Sequence, residues 1–272
     1  MRAQQVIGKL WNAALGHFGL ELRHKTSTIS LIERHTMWGT LEHAKRLSFE
    51  PKTVIDVGAG TGTFALYETF PKARHILIDP LLENRPYLEK IVNRLKNAEY
   101  LIAAAAQTSG TVTINVHRDY YGSSVCKEFE GPDVDGTPRV VPAITLDELC
   151  KERELRGPYL IKVDVQGAEL DVLSGASQVL KYTEYVVLEI CLMGFFIGGP
   201  QLYDVAKFMN ERGFVVYDIL DYGYRPLDGA MSQVDMAFVK ESGRFREHRS
   251  FATKEQREEF YARLLKDRNR AA

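Results

Sequence analysis

The stretch that decides the fold is TVIDVGAGTG, residues 53–62. Its first five residues are β-branched except for Asp56, too few for a helix and too apolar for a sheet edge, which predicts a buried parallel strand. Gly58, Gly60 and Gly62 follow at alternate positions. Glycine tolerates positive φ and lets a ligand approach the backbone, and the start of the next helix offers free N–H groups. The stretch therefore predicts a strand, a ligand-binding loop and a helix.

The spacing of these glycines separates two ligand classes. A dinucleotide loop has its third glycine three positions after the second, but position 63 is Thr and the third glycine comes two positions after. Loops of this form also serve methyl donors, and Asp56 suits a cationic amino group better than a pyrophosphate. The spacing disfavours a nicotinamide-dependent oxidoreductase, and a tight turn without any ligand stays open as an alternative.

A second acidic residue ends the next predicted strand, His75 to Ile78, at Asp79. A carboxylate at that position can accept both ribose hydroxyls of an adenosyl group, although it can also serve as a helix N-cap. Acids at two successive strand ends together predict an adenosine-bearing ligand.

Strands and helices alternate through the middle of the chain. We predict strands at 53–57, 75–78 and 99–105, with helices from about 62 and from about 81 to 95. Two βαβ steps imply a parallel sheet with right-handed crossovers. Residues 110–144 are predicted to form an inserted hairpin-like excursion, after which the strands YLIKVD and YVVLEI resume the sheet. The segments GFVVYDI and QVDMAFV are predicted to complete it as an antiparallel pair, giving a doubly wound, mostly parallel α/β fold.

Composition favours one large domain with appendages. The chain has 272 residues, of which 45% are hydrophobic, enough for one substantial core. We predict an N-terminal helical cap over the ligand site at 1–50, the main domain at 51–240 and a C-terminal helical extension at 241–272.

Charge and cysteine usage exclude several partners. A formal net charge of −1 gives no electrostatic footprint for nucleic acid. Three cysteines without a C-x-x-C pair suggest neither a zinc site nor a disulfide framework, and fit a cytoplasmic location. Polar residues interrupt the apolar segment 6–20, so no transmembrane span is predicted. That segment is expected to be a helix packed on the main domain or on a partner subunit. The second arrangement would form a homo-oligomer through the terminal helices. A membrane-surface anchor is the alternative.

Five motifs resemble those of FkbM-family S-adenosylmethionine-dependent methyltransferases. They are TVIDVGAGTG, AAAAQTSGTVTI, ITLDELC, LIKVDVQGAELDVLSGA and VVLEI, and the resemblance spans roughly residues 53–240. It implies a class I methyltransferase fold, a seven-stranded sheet with an antiparallel last strand. It also implies methyl transfer from S-adenosylmethionine to a hydroxyl oxygen, often on a sugar or other natural product. A non-catalytic adenosyl-binding protein remains the alternative to an enzyme.

The resemblance also assigns cofactor-binding positions. It implies that the methionine end of the donor lies at Asp56, Gly58, Ala59 and Gly60, the ribose at Asp79, the adenine near Ala104 and the donor site close to Ser124. The family usually has Asn where this chain has Gly60, which removes one side-chain hydrogen bond from the loop.

Three residues are candidates for the chemistry. A hydroxyl acceptor benefits from a group that takes its proton. Asp164 closes a strand at the sheet edge where ligands of such folds collect and is the first candidate, with capping of the next helix as the alternative. Glu189 lies at the next strand end and can orient the acceptor, act as base or pair with a basic residue. His117 has a suitable pKa range, although a surface histidine is the commoner outcome.

The sequence also bears on a metal site and on the surface that would bind the acceptor. Asp164 and Glu189 could together hold a divalent cation, but two carboxylates are a weak ligand set, so no metal residue is assigned. Tyr120, Tyr121 and the loop MGFFIGG, residues 193–199, are expected to form a lip for a glycosyl or lipophilic acceptor.

Overall fold

A computed structural model of the chain describes residues 34–271. The first 33 residues of the predicted N-terminal cap, including its apolar segment, lie outside the described residues.

Seven strands of the described chain form one main sheet. In chain order they are β1 (Thr53–Val57), β2 (Arg74–Asp79), β3 (Ala98–Ile102), β7 (Tyr159–Val163), β8 (Thr183–Cys191), β9 (Phe214–Tyr224) and β10 (Met231–Lys240). Their spatial order is β3-β2-β1-β7-β8-β10-β9. The pairs among the first five are parallel, whereas β10 runs antiparallel to both β8 and β9. The predicted α/β sheet, with its antiparallel last strand, is confirmed.

Three short strands form a second, smaller sheet of order β4-β6-β5. They are β4 (Ala104–Ala105), β5 (Gly110–Val116) and β6 (Thr137–Ile144), and the last two make the antiparallel hairpin expected from the sequence. The predicted strand 99–105 is therefore two strands. Ile102 pairs with Asp79, the last residue of β2, so the residues beyond it have no partner in the main sheet and pair with β6 instead.

The described helices connect these strands. They are α1 (Met37–Arg46), α2 (Phe64–Thr69), α3 (Arg85–Arg94), α4 (Pro132–Asp135), α5 (Leu146–Glu152), α6 (Glu169–Ser174), α7 (Leu202–Glu211) and α8 (Lys254–Ala271). Side-chain caps fix several starts: the Thr145 hydroxyl accepts from Glu148 N at 3.0 Å, and Gln201 forms a capping box with Asp204. No helix among residues 34–271 is long and apolar enough to cross a membrane.

Strand side chains alternate between two cores, one on each side of the main sheet. Ile55, Ile161 and Leu188 belong to one core, and Val54 and Leu160 to the other. This alternation has a consequence for the polar residues of the central strands. Asp56, Lys162, Glu189 and Asp235 occupy alternate positions with the second set, so they share the sheet face that α1 covers.

The terminal helices pack differently from one another. Helix α1 buries Leu41 and Ala44 in the second core, and its Thr40 hydroxyl donates to Asp218 of β9 at 2.6 Å. Helix α8 keeps Phe260, Leu264 and its other apolar side chains at least partly exposed. The described part of the predicted cap is thus a helix against the sheet.

Candidate active site

A cavity of about 580 Å³ opens at the carboxyl ends of strands β1, β2, β7 and β8. In open parallel sheets this is the edge at which ligands bind. Its walls come from the loop after β1, the turn after β2, residues 103–105, the excursion loop 119–125 and the loop after β7, with Glu189 and Gln233 at one end.

The glycine loop after β1 forms one wall of the cavity. Gly58 has φ +71°, and a Cβ there would lie 1.7 Å from the main-chain oxygen of Asp164, so no larger residue fits between the ends of β1 and β7. Gly60 has φ +52°, but nothing lies within 4 Å of the place its Cβ would take, so its backbone faces open space. Both predicted positions line the cavity. Ala59 is buried behind them and does not.

Asp79 lies on the adjoining wall, nearly fully buried. One carboxylate oxygen accepts from Gly60 N at 2.8 Å, and the other accepts from Leu81 N at 2.9 Å and Asn84 Nδ2 at 3.0 Å. Burial raises the pKa of Asp79, and the three hydrogen bonds oppose this. The first oxygen keeps acceptor capacity toward the cavity, as a ligand with hydroxyl donors requires.

Asp56 is not on the cavity wall, contrary to the donor contact expected for it. Its carboxylate accepts hydrogen bonds from the Tyr67 hydroxyl and, at 3.2 Å, from the Thr63 hydroxyl, and the Lys162 ammonium lies 3.9 Å away. The side chain is fully buried on the sheet face occupied by Tyr67. Asp56 therefore fixes the start of α2 and balances a buried cation beneath the cavity.

A buried ion pair organises the end of β7. Lys162 donates to an Asp164 carboxylate oxygen at 2.9 Å, and Asp56 is its register partner on β1. Burial alone would lower the pKa of Lys162, but Asp164 and Asp56 raise it above its ordinary value. Burial would likewise raise the pKa of Asp164, whereas the ammonium and several hydrogen bonds hold it below its usual range. Asp164, which lines the cavity, is therefore an ionised carboxylate at neutral pH.

Glu189 joins Asp164 through a shared amide. Gln166 Nε2 donates to Asp164 Oδ1 at 2.9 Å and also to Glu189, while Gln233 Nε2 donates to the other Glu189 oxygen at 2.5 Å. Burial, the Asp164 charge and a hydrogen bond to Asp164 raise the pKa of Glu189 to about 9. The two carboxyl groups therefore titrate as a pair, and Asp164 is the more acidic member because it contacts the Lys162 ammonium.

The loop after β7 is shaped to hold this pair. Gln166 has φ +57°, uncommon for a residue other than glycine, and Gly167 has φ +93°. Glu169 accepts from Gly167 N at 3.0 Å and Val165 N at 3.3 Å, which closes the loop from below. Burial raises the pKa of Glu169 to about 7.

The excursion is fastened to that loop by Ser124. Its hydroxyl donates to the Gln166 carbonyl at 2.5 Å and accepts from Cys126 N at 2.9 Å. Arg139 of β6 and Glu83 make two hydrogen bonds of 2.8 Å that anchor the opposite side of the excursion. Ser124 and Ala104 both line the cavity, and Ser124 also holds two loops together.

His117 does not line the cavity. Its Nδ1 lies 2.9 Å from Asp119 Oδ1, and the ring packs beneath Gly122, where a Cβ would come within 3.1 Å of it. The histidine thus supports the 119–124 loop from behind and is not on the cavity wall, where a base for the acceptor was expected.

The rim of the cavity carries tyrosines. Tyr120 and Tyr121 line it as predicted, and Tyr87 of α3 joins them, each with about half or more of its surface exposed. The loop 193–199 does not contribute to the wall. Phe196 instead packs on Gly167, and the loop pairs with residues 127–129, so it supports the site from outside.

No group of three or more His, Cys, Asp and Glu side chains within residues 34–271 is placed to hold a metal ion. Asp164 and Glu189 are instead bridged by the Gln166 amide.

Sequence reasoning missed Lys162, Gln166 and Gln233. A signal existed for Lys162, because a lysine within the buried strand YLIKV needs an acidic partner. No sequence pattern identifies Gln233, since its place beside Glu189 depends on the pairing of β10 with β8.

Comparison with known families gives a match that covers more than half of the chain. A model of the methyltransferase FkbM domain matches residues 56–216. Over 71 residues the chain is 35% identical to the hexuronic acid methyltransferase AglP of Haloferax volcanii, and this match covers 26% of the chain and 27% of that protein. The shared segment is thus about a quarter of either protein.

Solved structures resemble the chain only distantly. The 1,6-didemethyltoxoflavin-N1-methyltransferase of Burkholderia thailandensis, solved with S-adenosylhomocysteine, is 10% identical, with a TM-score of 0.42 over 88% of this chain and 89% of that one. The N-methyltransferase NodS of Bradyrhizobium japonicum is 11% identical, with a TM-score of 0.43 over 76% of this chain and 94% of that one. These likenesses are too weak to carry an argument about the acceptor.

Proposed function

Since the chain belongs to the FkbM family of S-adenosylmethionine-dependent methyltransferases, we propose that it methylates a hydroxyl oxygen of a sugar or secondary-metabolite acceptor. The observation that carries this proposal is the Asp164 carboxylate on the cavity wall, next to Glu189 and held by hydrogen bonds from Lys162 and Gln166. The partial match to a protein named for a hexuronic acid supports a sugar as the acceptor class.

The cavity fits S-adenosylmethionine. Its volume of about 580 Å³ lies within the ~300–1,000 Å³ range of small-molecule sites. Asp79, with remaining acceptor capacity, would hold the ribose hydroxyls, and residues near Ala104 would lie along the adenine. Gly58 and Gly60 would leave room for the methionine end, with Ser124 holding the loop above. When bound, S-adenosylmethionine supplies an electrophilic methyl group on a sulfonium.

The chain's own residues then act on the acceptor. A hydroxyl is a weak nucleophile, so a carboxylate that accepts its hydrogen bond both aligns the oxygen and takes the proton as the oxygen gains a methyl group. Asp164 has this role in our proposal. Lys162 keeps Asp164 ionised, and Gln166 fixes its orientation. His117 has no part, because its ring lies behind the excursion loop.

Glu189 has a different role from Asp164. Gln166 and Gln233 each donate a hydrogen bond to one of its two oxygens, and Gln166 also donates to Asp164. Glu189 therefore orients the base and the acceptor.

The test compares Asp164→Asn with Asp171→Asn, an exposed carboxylate of α6 seven residues further along. Methyl transfer from isotope-labelled S-adenosylmethionine to a panel of glycosides is followed by mass spectrometry. We expect Asp164→Asn to lower turnover by about 10²-fold or more, with the affinity for S-adenosylhomocysteine unchanged, and Asp171→Asn to behave as wild type. Full turnover in Asp164→Asn would show that Asp164 is not the base that takes the acceptor proton.

A further inference from the structure

A second cavity of about 190 Å³ adjoins the first. Six residues line it: Glu189, Asp221, Tyr222, Gly223, Gln233 and Asp235. Glu189 and Gln233 line both cavities, so the two cavities meet at this hydrogen-bonded pair of side chains. The volume of the second cavity exceeds by more than tenfold the ~10–15 Å³ that one water needs, which leaves room for a ring.

The strand register explains why these groups converge. Asp235 of β10 lies directly opposite Glu189 of β8, and directly opposed residues of an antiparallel pair project from the same face. Asp221 enters from β9, where its carboxylate accepts from Met37 N at 2.7 Å. The Asp235 carboxylate has no hydrogen-bond partner among residues 34–271, although it lines the cavity.

The second cavity is rich in acceptors and lacks a cation. None of its six lining residues is Lys, Arg or His. Lys162 on the neighbouring part of the sheet is engaged by Asp164 and Asp56. Burial and the charges of Asp164 and Asp221 raise the pKa of Asp235, against the opposing effect of Lys162, to about 7. The wall therefore already disfavours further negative charge.

We infer that the second cavity is the acceptor subsite and that it takes a hydroxyl-rich sugar ring without a carboxylate. Hydroxyl groups can donate hydrogen bonds to the carboxyl oxygens of Asp235 and Asp221, whereas a uronate would add a further carboxylate to a wall that has three carboxyl groups and no basic side chain. The inference rests on the proposed function and narrows it. It separates this chain from its partial relative, whose printed name specifies a hexuronic acid.

The test is ligand-observed saturation-transfer NMR at pH 8, above the Asp235 pKa of about 7, on the full chain saturated with S-adenosylhomocysteine. Three probes are compared at equal concentration: methyl glucoside, methyl glucosaminide and methyl glucuronide. We expect contact with the glucoside, and a signal from the glucuronide about tenfold weaker or absent. The glucosaminide signal should equal or exceed that of the glucoside.

Two variants test whether Asp235 causes the discrimination between the glucoside and the glucuronide. Asp235→Asn removes a charge without changing shape, and we expect it to raise the glucuronide signal relative to the glucoside. Asp171→Asn, the matched control outside both cavities, should keep the wild-type pattern. The wild-type panel is informative by itself, so the test does not depend on the folding of Asp235→Asn.

Three results would overturn the inference: a glucuronide signal equal to that of the glucoside in the wild type, no contact with any probe, or no change in Asp235→Asn. These outcomes are separate from failure of the proposed function. Labelled methyl groups found on nitrogen would refute hydroxyl methylation and leave the binding preferences measurable. Methylation of a uronate hydroxyl in preference to a neutral sugar would refute only the subsite inference.

Discussion

The Lys162 ammonium lies 2.9 Å from a carboxylate oxygen of Asp164, the residue that directly follows β7. Lys162 is buried, whereas the Asp164 side chain keeps 30% of its surface exposed toward the cavity. A buried cation thus holds a cavity carboxylate in its ionised form. Asp56, 3.9 Å from the same ammonium, completes the charge balance from β1.

Replacing this cation should be costly to stability. Lys162→Met leaves two carboxylates without their buried partner, and we expect the free energy of unfolding to fall by about 3–5 kcal/mol. Urea denaturation measures the change. Lys207→Met, which breaks an exposed pair with Glu211 on α7, should leave the stability close to that of wild type. Equal effects of the two substitutions would show that Lys162 does not balance a buried charge.

The glycine loop allows a matched pair of substitutions. Both Gly58 and Gly60 have positive φ, so alanine at either position costs about 1–2 kcal/mol for the left-handed conformation. Gly58→Ala must also displace the main chain at Asp164, whereas Gly60→Ala has open space. We therefore expect the thermal unfolding midpoint to fall clearly further in Gly58→Ala. The loop geometry would be contradicted if Gly60→Ala were the less stable variant.

Glu189 should make stability depend on pH. Its pKa is raised to about 9, so the folded state keeps a proton that the unfolded chain loses near its ordinary pKa of about 4.5. Glu189 therefore contributes to a loss of stability as pH rises from about 5 to 9.

Glu189→Gln removes this contribution. We expect the unfolding free energy of Glu189→Gln to rise relative to wild type across that range, by at most about 1.4 kcal/mol per pH unit. Denaturation series at several pH values give the difference. Glu258→Gln, on the exposed side of α8, is the matched control. A difference for Glu189→Gln that does not change with pH would mean that Glu189 is ionised in the fold.

Asp79 should control affinity for the donor. In Asp79→Asn the side chain has one acceptor oxygen instead of two, so either the Gly60 or the Leu81 contact is lost, together with an acceptor for the ribose. Calorimetry with S-adenosylhomocysteine should show affinity reduced by about 10- to 100-fold. Asp228→Asn, in the exposed turn between β9 and β10, serves as control. Affinity within threefold of wild type in stable Asp79→Asn protein would rule out the ribose assignment.

Local patterns predicted the sheet because its strands are short apolar runs, each closed by a polar residue or a turn. The same patterns placed Asp79, Asp164 and Glu189 at strand ends, where the structure brings them to one cavity. The methyl donor followed from the glycine spacing and the resemblance, and the family match confirms it.

Local sequence patterns could not predict contacts between residues that are far apart in the sequence. Its position before the glycine loop predicted that Asp56 contacts the ligand. The contacts that Asp56 makes with Tyr67 and Lys162 depend on how α2 and β7 pack against β1. The split of strand 99–105 depends on where β2 ends. Asp235 reaches Glu189 only because β10 inserts between β8 and β9.

The most direct test of hydroxyl methylation is NMR of the product formed with S-adenosylmethionine carrying a ¹³C-labelled methyl group and glycan acceptors. The chemical shift of the labelled carbon distinguishes methyl groups on oxygen, nitrogen and carbon. We predict a labelled methoxy group on a sugar hydroxyl, formed by wild type and Asp171→Asn and lost in Asp164→Asn. Label on nitrogen or carbon, or an undiminished methoxy signal in Asp164→Asn, would contradict the account.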